Sequence, residues 1–411
     1  MTVVVFVAPF FLDATLRFVS AMAELPNVRL GLISQDPEEK LPTALRARLA
    51  GHYRVADGLD PQQIADATRA LARRIGPPDQ LVGALEQLQV PLAQARGALG
   101  IPGMDESTAH SFRDKARMKS VLRAAGLPCA RHAMAGSADD ARRFIAEVGF
   151  PVVVKPPAGA GARATYRLDD VGALDAWLGA QPPSTGDPVL LEEFMTGEEH
   201  SFDSVFVRGE PVWHSISRYH PAPLEVLRNP WMQWVVFLPR QITGPEYDDI
   251  RDVAAASLRA LGLQTALTHM EWFRRPDGSV AVSEVAARPP GAQITTLLSY
   301  AHDLDFYRAW AALMAFEHFD PPERKYAVGA AYLRGQGQGR VRAIHGLEQL
   351  QRELGPIVVE AKLPQAGQAP TGTYEGEGYV IVRHPDSDVV ERALQRIVTV
   401  AHVELGEVAG R

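Results

Sequence analysis

Residues 3–7, Val-Val-Val-Phe-Val, form an uninterrupted apolar run near the start of the chain. A strand that is apolar on both faces must be covered on both, which is the situation of a strand inside a parallel sheet flanked by helices. The pattern that follows agrees. Asp13–Leu25 reads as a helix, Val28–Ile33 as a second strand, Pro61–Ile75 as a helix and Gln80–Val82 as a short strand. Together they predict a small parallel α/β domain ending near Ile101–Pro102. The stretch Val3–Leu12 is interrupted by Pro9, stopped by Asp13 and preceded by no basic segment. It is shorter than the roughly 20 residues a membrane-spanning helix needs, and it lacks the pattern of a signal peptide.

Further along, Ser111–Gly126 reads as one helix, with Gly126 where helices commonly stop. Ala130–Ala133 (strand), Ala138–Val148 (helix) and Pro151–Lys155 (strand) follow. After Asp187 the texture changes. Val189–Phe194, Ser201–Val207, Pro211–Ser217 and Trp234–Leu238 read as strands joined by turns, so this part is richer in antiparallel sheet. Helix Tyr247–Leu261 precedes a hairpin, Ala266–Phe273 with Val280–Ala286, turned by Arg275-Pro276-Asp277-Gly278. The last part has a strand at Ala327–Leu333, a Gly/Gln-rich loop at Gly335–Gly339, a helix at Leu347–Arg352, two strands and a helix at Val389–Val400. The expected units are residues 1–105, 106–187, 188–325 and 326–411.

With 42 Lys plus Arg against 49 Asp plus Glu, the formal charge is −7 over 411 residues. That balance argues against non-specific nucleic-acid or anionic-membrane binding, so an anionic ligand must be held by a few placed cations. Cys129 is the only cysteine, which excludes an internal disulfide and a multi-thiolate metal site and fits a cytoplasmic protein.

Three stretches carry chemistry. In the hairpin, closing the turn with Arg275 and Gly278 pairs Glu271 with Val282 and makes Glu284 the diagonal neighbour of Glu271, about 7–8 Å away between Cα atoms. Two acids on one sheet face need a cation between them, and hard oxygen donors suit Mg²⁺ or Mn²⁺; a solvated hairpin with scattered charges fits the spacing too. Alternation places Ala286, Arg288, His269 and Phe273 on the same face. Second, Pro151-Val-Val-Val-Lys155-Pro156-Pro157-Ala158-Gly159-Ala160-Gly161 runs a buried strand into a lysine and a loop of small residues. Such a loop lets backbone N–H groups approach phosphate, although no Gly-Lys-Ser/Thr completes a Walker pattern and a plain flexible turn reads equally well. Lys115 and Lys119 add cations on one helix face. Third, Val189-Leu-Leu-Glu192-Glu193-Phe194-Met195-Thr-Gly-Glu-Glu199 is an apolar strand entering an acidic bend, which can offer backbone groups to an adenine edge and a carboxylate to a ribose.

In order and spacing these pieces resemble the ATP-grasp superfamily, in its carboxylate–amine ligase branch, over nearly the full length. The resemblance implies a mixed α/β and α+β architecture: an N-terminal parallel pre-ATP-grasp α/β domain, an ATP-grasp body and a small C-terminal α+β unit closing the cleft. It implies ATP and Mg²⁺ (or Mn²⁺), with Lys115 and Lys155 on the phosphates, Gly159 and Gly161 in the phosphate lid, Glu192 to Met195 holding adenine, and Glu199 the ribose. Glu271 and Glu284 are then the metal pair, and Arg288, with Lys155, the catalytic cation that stabilises the transferred phosphoryl group and an acyl-phosphate.

The activity so implied is amide formation from a small-molecule carboxylate and an amine, ADP-forming. Alternatives are bicarbonate activation of the biotin-carboxylase kind and a non-catalytic ATP-binding module. One position departs from many family members, which carry Asn where this chain has Ala286; branches similar to the L-amino-acid ligases also read Glu-x-Ala-Ala-Arg. If the Asn is needed for a second metal ion, Ala286 puts that ion in doubt. The aromatic-rich span Trp213–Leu238 is where substrate choice is expected, with Arg218 or His220 as carboxylate anchor, Trp234 as a wall and His269 beside the metal face. Oligomeric state is not readable in the pattern; members of the superfamily are often dimers.

Overall fold

The computed structural model describes residues 1–157, 165–229 and 231–407. Its strands are, in order, β1 Thr2–Val7, β2 Val28–Ser34, β3 Gly51–Arg54, β4 Gln80–Val82, β5 His132–Ala135, β6 Val152–Lys155, β7 Tyr166–Leu168, β8 Val189–Glu193, β9 Glu198–Val207, β10 Glu210–His220, β11 Trp234–Leu238, β12 Ala266–Arg274, β13 Val280–Ala286, β14 Ala327–Leu333, β15 Gly335–Gln336, β16 Arg340–His345, β17 Val358–Lys362, β18 Gly378–His384 and β19 His402–Gly406.

The first four form a parallel sheet in the order β3-β2-β1-β4, with β1 inside it as its all-apolar sequence requires. Its helices include Asp13–Ala23, Pro61–Ile75 and Gln89–Leu99. One side of this unit packs on the helix Phe306–Phe316: Phe6 and Phe18 meet the Trp310 ring at 6.0 and 4.9 Å between centroids. The N-terminal unit therefore shares a core with the body of the molecule.

A four-stranded antiparallel sheet, β5-β8-β6-β7, makes the small lobe. The large sheet runs β13-β12-β9-β10-β11-β14-β18-β17, so strands on either side of residue 326 belong to one continuous eight-stranded layer. A small sheet of β15, β19 and β16 sits at the C-terminal end. The mixed parallel and antiparallel architecture matches the expected fold class.

Two local expectations need correction. The single helix predicted over Ser111–Gly126 is two, Glu106–Arg113 and Lys115–Ala124. They are separated at Asp114, which is extended and whose carboxylate accepts from the Arg117 N–H at 2.9 Å. A capping acid placed before Lys115 starts a new helix rather than continuing the old one. The second helix ends as expected, with Gly126 at φ +73° and the Leu127 N–H returning to the Leu122 carbonyl at 2.9 Å.

The hairpin register also differs. The Gly278 N–H donates to Arg275 O, but Arg275 N–H pairs with Ser279 O, with Gly278 at φ +81°. This is a type I turn followed by a left-handed glycine, one residue longer than the two-residue loop assumed. A bulge between Glu271 and Trp272 adds a second slip, so Glu271 lies directly opposite Glu284 and Trp272 opposite Val282. The two acids are cross-strand partners, with Cα atoms about 4.5–5.5 Å apart rather than diagonal.

Candidate active site

A cleft between the small lobe, the large sheet and the segment after β13 is lined by Lys115, Lys155, Glu192–Met195, Glu199, His269, Glu271, Glu284 and Arg288, among others. The helix starting at Lys115 is held against the small lobe by its first N–H, which donates to Pro157 O at 3.1 Å. Lys115 Nζ donates to Glu284 Oε1 at 2.6 Å. One turn on, Lys119 is fully buried, with Nζ bonded to the Ser283 carbonyl and 3.5 Å from Glu192 Oε1. Lys155, at the end of β6, reaches the other oxygen of Glu192 at 2.9 Å. Glu192 thus bridges two lysines. Its burial opposes the charge, yet Lys119 and Lys155 hold its carboxyl below the usual range. Burial also opposes the charge on Lys155, but Glu192 and Glu284 raise it on balance, whereas Lys119, the most deeply sunk, is lowered by desolvation. Glu284 is held well below the ordinary carboxylate value, against its own desolvation, by Lys115 and Lys155.

The face of β12 follows strand alternation. Phe273, Glu271 and His269 register with Glu199, Ser201 and Asp203 of β9. His269 Nδ1 lies 2.6 Å from the buried Asp203 carboxylate and Nε2 lies 3.8 Å from Glu271. Burial would lower the imidazole pKa, but Asp203 and Glu271 together lift it to about 9, so His269 is a cation at neutral pH. Glu199 is pushed the opposite way. Desolvation first, then the Glu271 charge, raise it well above the carboxylate range.

Arg288 lies beyond the end of β13, where its Nε donates to Glu86 Oε2 at 2.5 Å and Nη1 to Pro289 O at 2.8 Å. Glu86 comes from the N-terminal unit, is buried, and also has Arg113 within 3.9 Å. In the bend after β8, Glu193 is tied to Arg131 at 3.0 Å, the Phe194 ring carries the Arg167 guanidinium 4.1 Å from its centroid, and Met195 is buried.

The structure thus brings Lys115, Lys155, Glu192, Glu193, Phe194, Met195, Glu199, Glu271, Glu284, Arg288, Trp234 and His269 to one cleft. It does not bring Arg218 or His220 there. Tyr219 lines the cleft, and with a period of two its neighbours on β10 face away. Arg218 Nη2 bonds the Tyr247 hydroxyl at 2.7 Å, and His220 is exposed. The carboxylate anchor expected at one of these positions is therefore not in the cleft. Gly159 and Gly161, expected in a phosphate lid, lie outside the described residues. Glu86, Asp203 and Tyr374 are neighbours of the site that sequence reasoning missed; nothing local in the sequence marks them, since each arrives from a distant segment. Lys119 was marked by its spacing from Lys115.

Among the described residues no group of three or more His, Cys, Asp or Glu side chains forms a metal cage. Glu271 and Glu284 nevertheless suit a hard divalent cation, being two carboxylates opposite each other on one face. Ala286, directly opposite His269, supplies no donor.

The family description "Carbamoyl-phosphate synthase L chain, ATP binding domain" matches residues 114–201, from the cap of the Lys115 helix to the start of β9. The uncharacterized protein y4rH of Sinorhizobium fredii is 28% identical over 308 residues, covering 72% of this chain and 62% of that protein. The L-arginine-specific L-amino acid ligase of Bacillus subtilis is 23% identical over 271 residues, covering 64% of each. The chain thus spans a little under two thirds of the length of these curated relatives. Among solved structures, the L-amino acid ligase of Bacillus licheniformis superposes with a TM-score of 0.76 at 19% identity, covering 99% of both chains. N5-carboxyaminoimidazole ribonucleotide synthetase of Thermotoga maritima gives 0.72 at 16% identity, covering 99% of this chain and 100% of that one.

The fold is that of the ATP-grasp structures, and residues 114–201, which line part of the cleft, are similar to an ATP-binding domain of that kind. Among the similar proteins are carboxylate–amine ligases, the L-amino acid ligases included. Among the described residues no helix is long and apolar enough to cross a membrane.

Proposed function

We propose that this chain is an ADP-forming carbon–nitrogen ligase that activates a carboxylate with ATP and joins it to an amine, a peptide bond when both are amino acids. The observation that carries the reading is the convergence of Lys115, Lys155, Glu271, Glu284 and Arg288, from separate segments, on one cleft.

The substrate carboxylate oxygen attacks the γ-phosphorus. The bond to the β–γ bridging oxygen breaks, ADP leaves with the electron pair, and an acyl-phosphate forms. The amine nitrogen then attacks the acyl carbon, inorganic phosphate departs with its electron pair, and the nitrogen loses a proton. No covalent protein group is required; position and charge neutralisation carry the reaction. Lys155 is fixed by Glu192, so its charge is in place before nucleotide arrives. Lys115, now on Glu284, is the second lysine within reach of the phosphates. A divalent cation held by Glu271 and Glu284 would supply charge neutralisation at the polyphosphate. Arg288 has Nε and Nη1 committed to Glu86 and Pro289, which leaves Nη2 for charge developing on the transferred group. The segment Glu192–Met195 holds the adenine, and Glu199 meets the ribose hydroxyls.

The test is phosphate release from Mg²⁺-ATP with no acceptor, with bicarbonate, and with a panel of amino acids, followed by mass measurement of the product. Release that requires amino acids, with a product mass equal to two of them less water, is the expected result. Release driven by bicarbonate alone, or none under any condition, overturns the proposal.

A further inference from the structure

The charged groups of the cleft are largely paired with one another: Lys115 with Glu284, Lys155 with Glu192, His269 with Glu271 and Asp203, and Arg288 with Glu86. The rest of the lining has a different character. Tyr219 from β10, Trp234 from β11 and Tyr374 from the loop between β17 and β18 meet in one ring cluster. Trp234 lies 5.6 Å from Tyr219 and 4.6 Å from Tyr374 between centroids, with Tyr332 stacked on it at 4.9 Å. The indole N–H is spent on Pro221 O at 3.1 Å and the ring is buried, so Trp234 backs the wall and brings no free donor to it. Leu224 and Ile294 continue that wall.

Resting on the ligase reading above, we infer that the carboxylate substrate carries an apolar side chain, branched or aromatic, seated against Tyr219, Trp234 and Tyr374. A charged side chain entering this wall loses its water, while the lysines, His269, Glu284 and Arg288 nearby are already paired. An apolar one gains burial and ring contact there. Tyr374 is the adjustable element. It is half-buried on a loop, whereas Trp234 is part of the core.

Hydroxylamine as the common amine separates the choice of acyl substrate from the choice of amine, because it converts any acyl-phosphate into a hydroxamate with release of phosphate. Hydroxamate formation is measured with phenylalanine, leucine and isoleucine against glutamate, lysine and arginine. The expected result is a kcat/KM for the apolar set at least roughly tenfold above the charged set, within the range a hydrophobic pocket discriminates. Tyr374→Ala and Leu224→Ala should each raise KM for phenylalanine several-fold and leave alanine little changed, while Tyr374→Phe stays near the parent. If charged amino acids react as well as or better than apolar ones, or if both wall variants depress all substrates equally, the side-chain inference is overturned and the ligase reading survives. If no amino acid gives hydroxamate, the ligase reading fails and this inference falls with it.

Discussion

Glu192 and Glu284 both sit among lysines in the same cleft, yet they are built for different ends. The Glu192 side chain is 6% exposed and has one lysine on each oxygen, Lys119 at 3.5 Å and Lys155 at 2.9 Å. Glu284 is 26% exposed, has its closest lysine on one oxygen, and lies directly across from a second carboxylate. The first is a closed arrangement, in which removing any member strands a buried charge. The second is open, in which a carboxylate is kept ionised by cations that a ligand can reassign. The contrast teaches that proximity of acid and base does not mark a ligand site; incomplete partnering on the solvent side does.

If Glu192 is the closed member, Glu192→Leu leaves Lys119 and Lys155 uncompensated in the interior and should cost about 3–5 kcal/mol of stability, read as a lowered urea midpoint. At the open site, Glu284→Ala, whose lysine partner can turn toward solvent, should cost less, about 1–2 kcal/mol, but lower kcat for ATP-dependent phosphate release by roughly 10²–10³. Equal loss of stability in both variants, or turnover retained by the second, would erase the distinction drawn here.

The Asp203–His269 pair sharpens it by pH. Burial opposes the charge, but Asp203 and Glu271 move the imidazole from its ordinary 6.5 to about 9, so the pair adds stability that is full below pH 6.5 and is lost as pH rises through 9. The unfolding free energy should fall by about 1–3 kcal/mol over that interval, and Asp203→Asn should flatten the slope. The smallest effect is expected at Glu86→Gln, which keeps the volume of the group holding Arg288 but removes its charge. A loss in kcat of about tenfold, with ATP KM little altered, is the outcome that separates holding the arginine from binding nucleotide.

Much of this arrangement was legible in the sequence because it is local. The run Val3–Val7 placed a buried parallel strand, and the spacing of Lys115 and Lys119 placed both on one helix face. Alternation along β12 and β13 put His269, Glu271, Phe273, Glu284 and Ala286 on a single surface even though the register was wrong. That error came from turn chemistry and a bulge, each adding one residue, neither visible as a hydrophobic pattern. Arg218 and His220 failed for the reason Tyr219 succeeded: the aromatic span marked β10 as lining the cleft but not which of its faces does so. The partners that orient the reactive groups, Glu86 on Arg288 and Asp203 on His269, are brought in by tertiary packing across 202 and 66 residues of chain, and local sequence carries no trace of such meetings.

The continuous eight-stranded layer has a mechanical consequence. Strands β14, β18 and β17 are hydrogen-bonded into the same sheet as the Glu271–Glu284 hairpin, so swinging the C-terminal part of the molecule, from β14 onward, away from the cleft would mean tearing a row of backbone bonds. The small lobe is a separate sheet, joined to the rest by single-chain connections and a few bonds such as Pro157 to Lys115 and Pro128 to Val282. Opening of the cleft is therefore expected to come from tilting that lobe, with Trp234 and the strands behind it staying fixed like the anvil beneath a moving jaw.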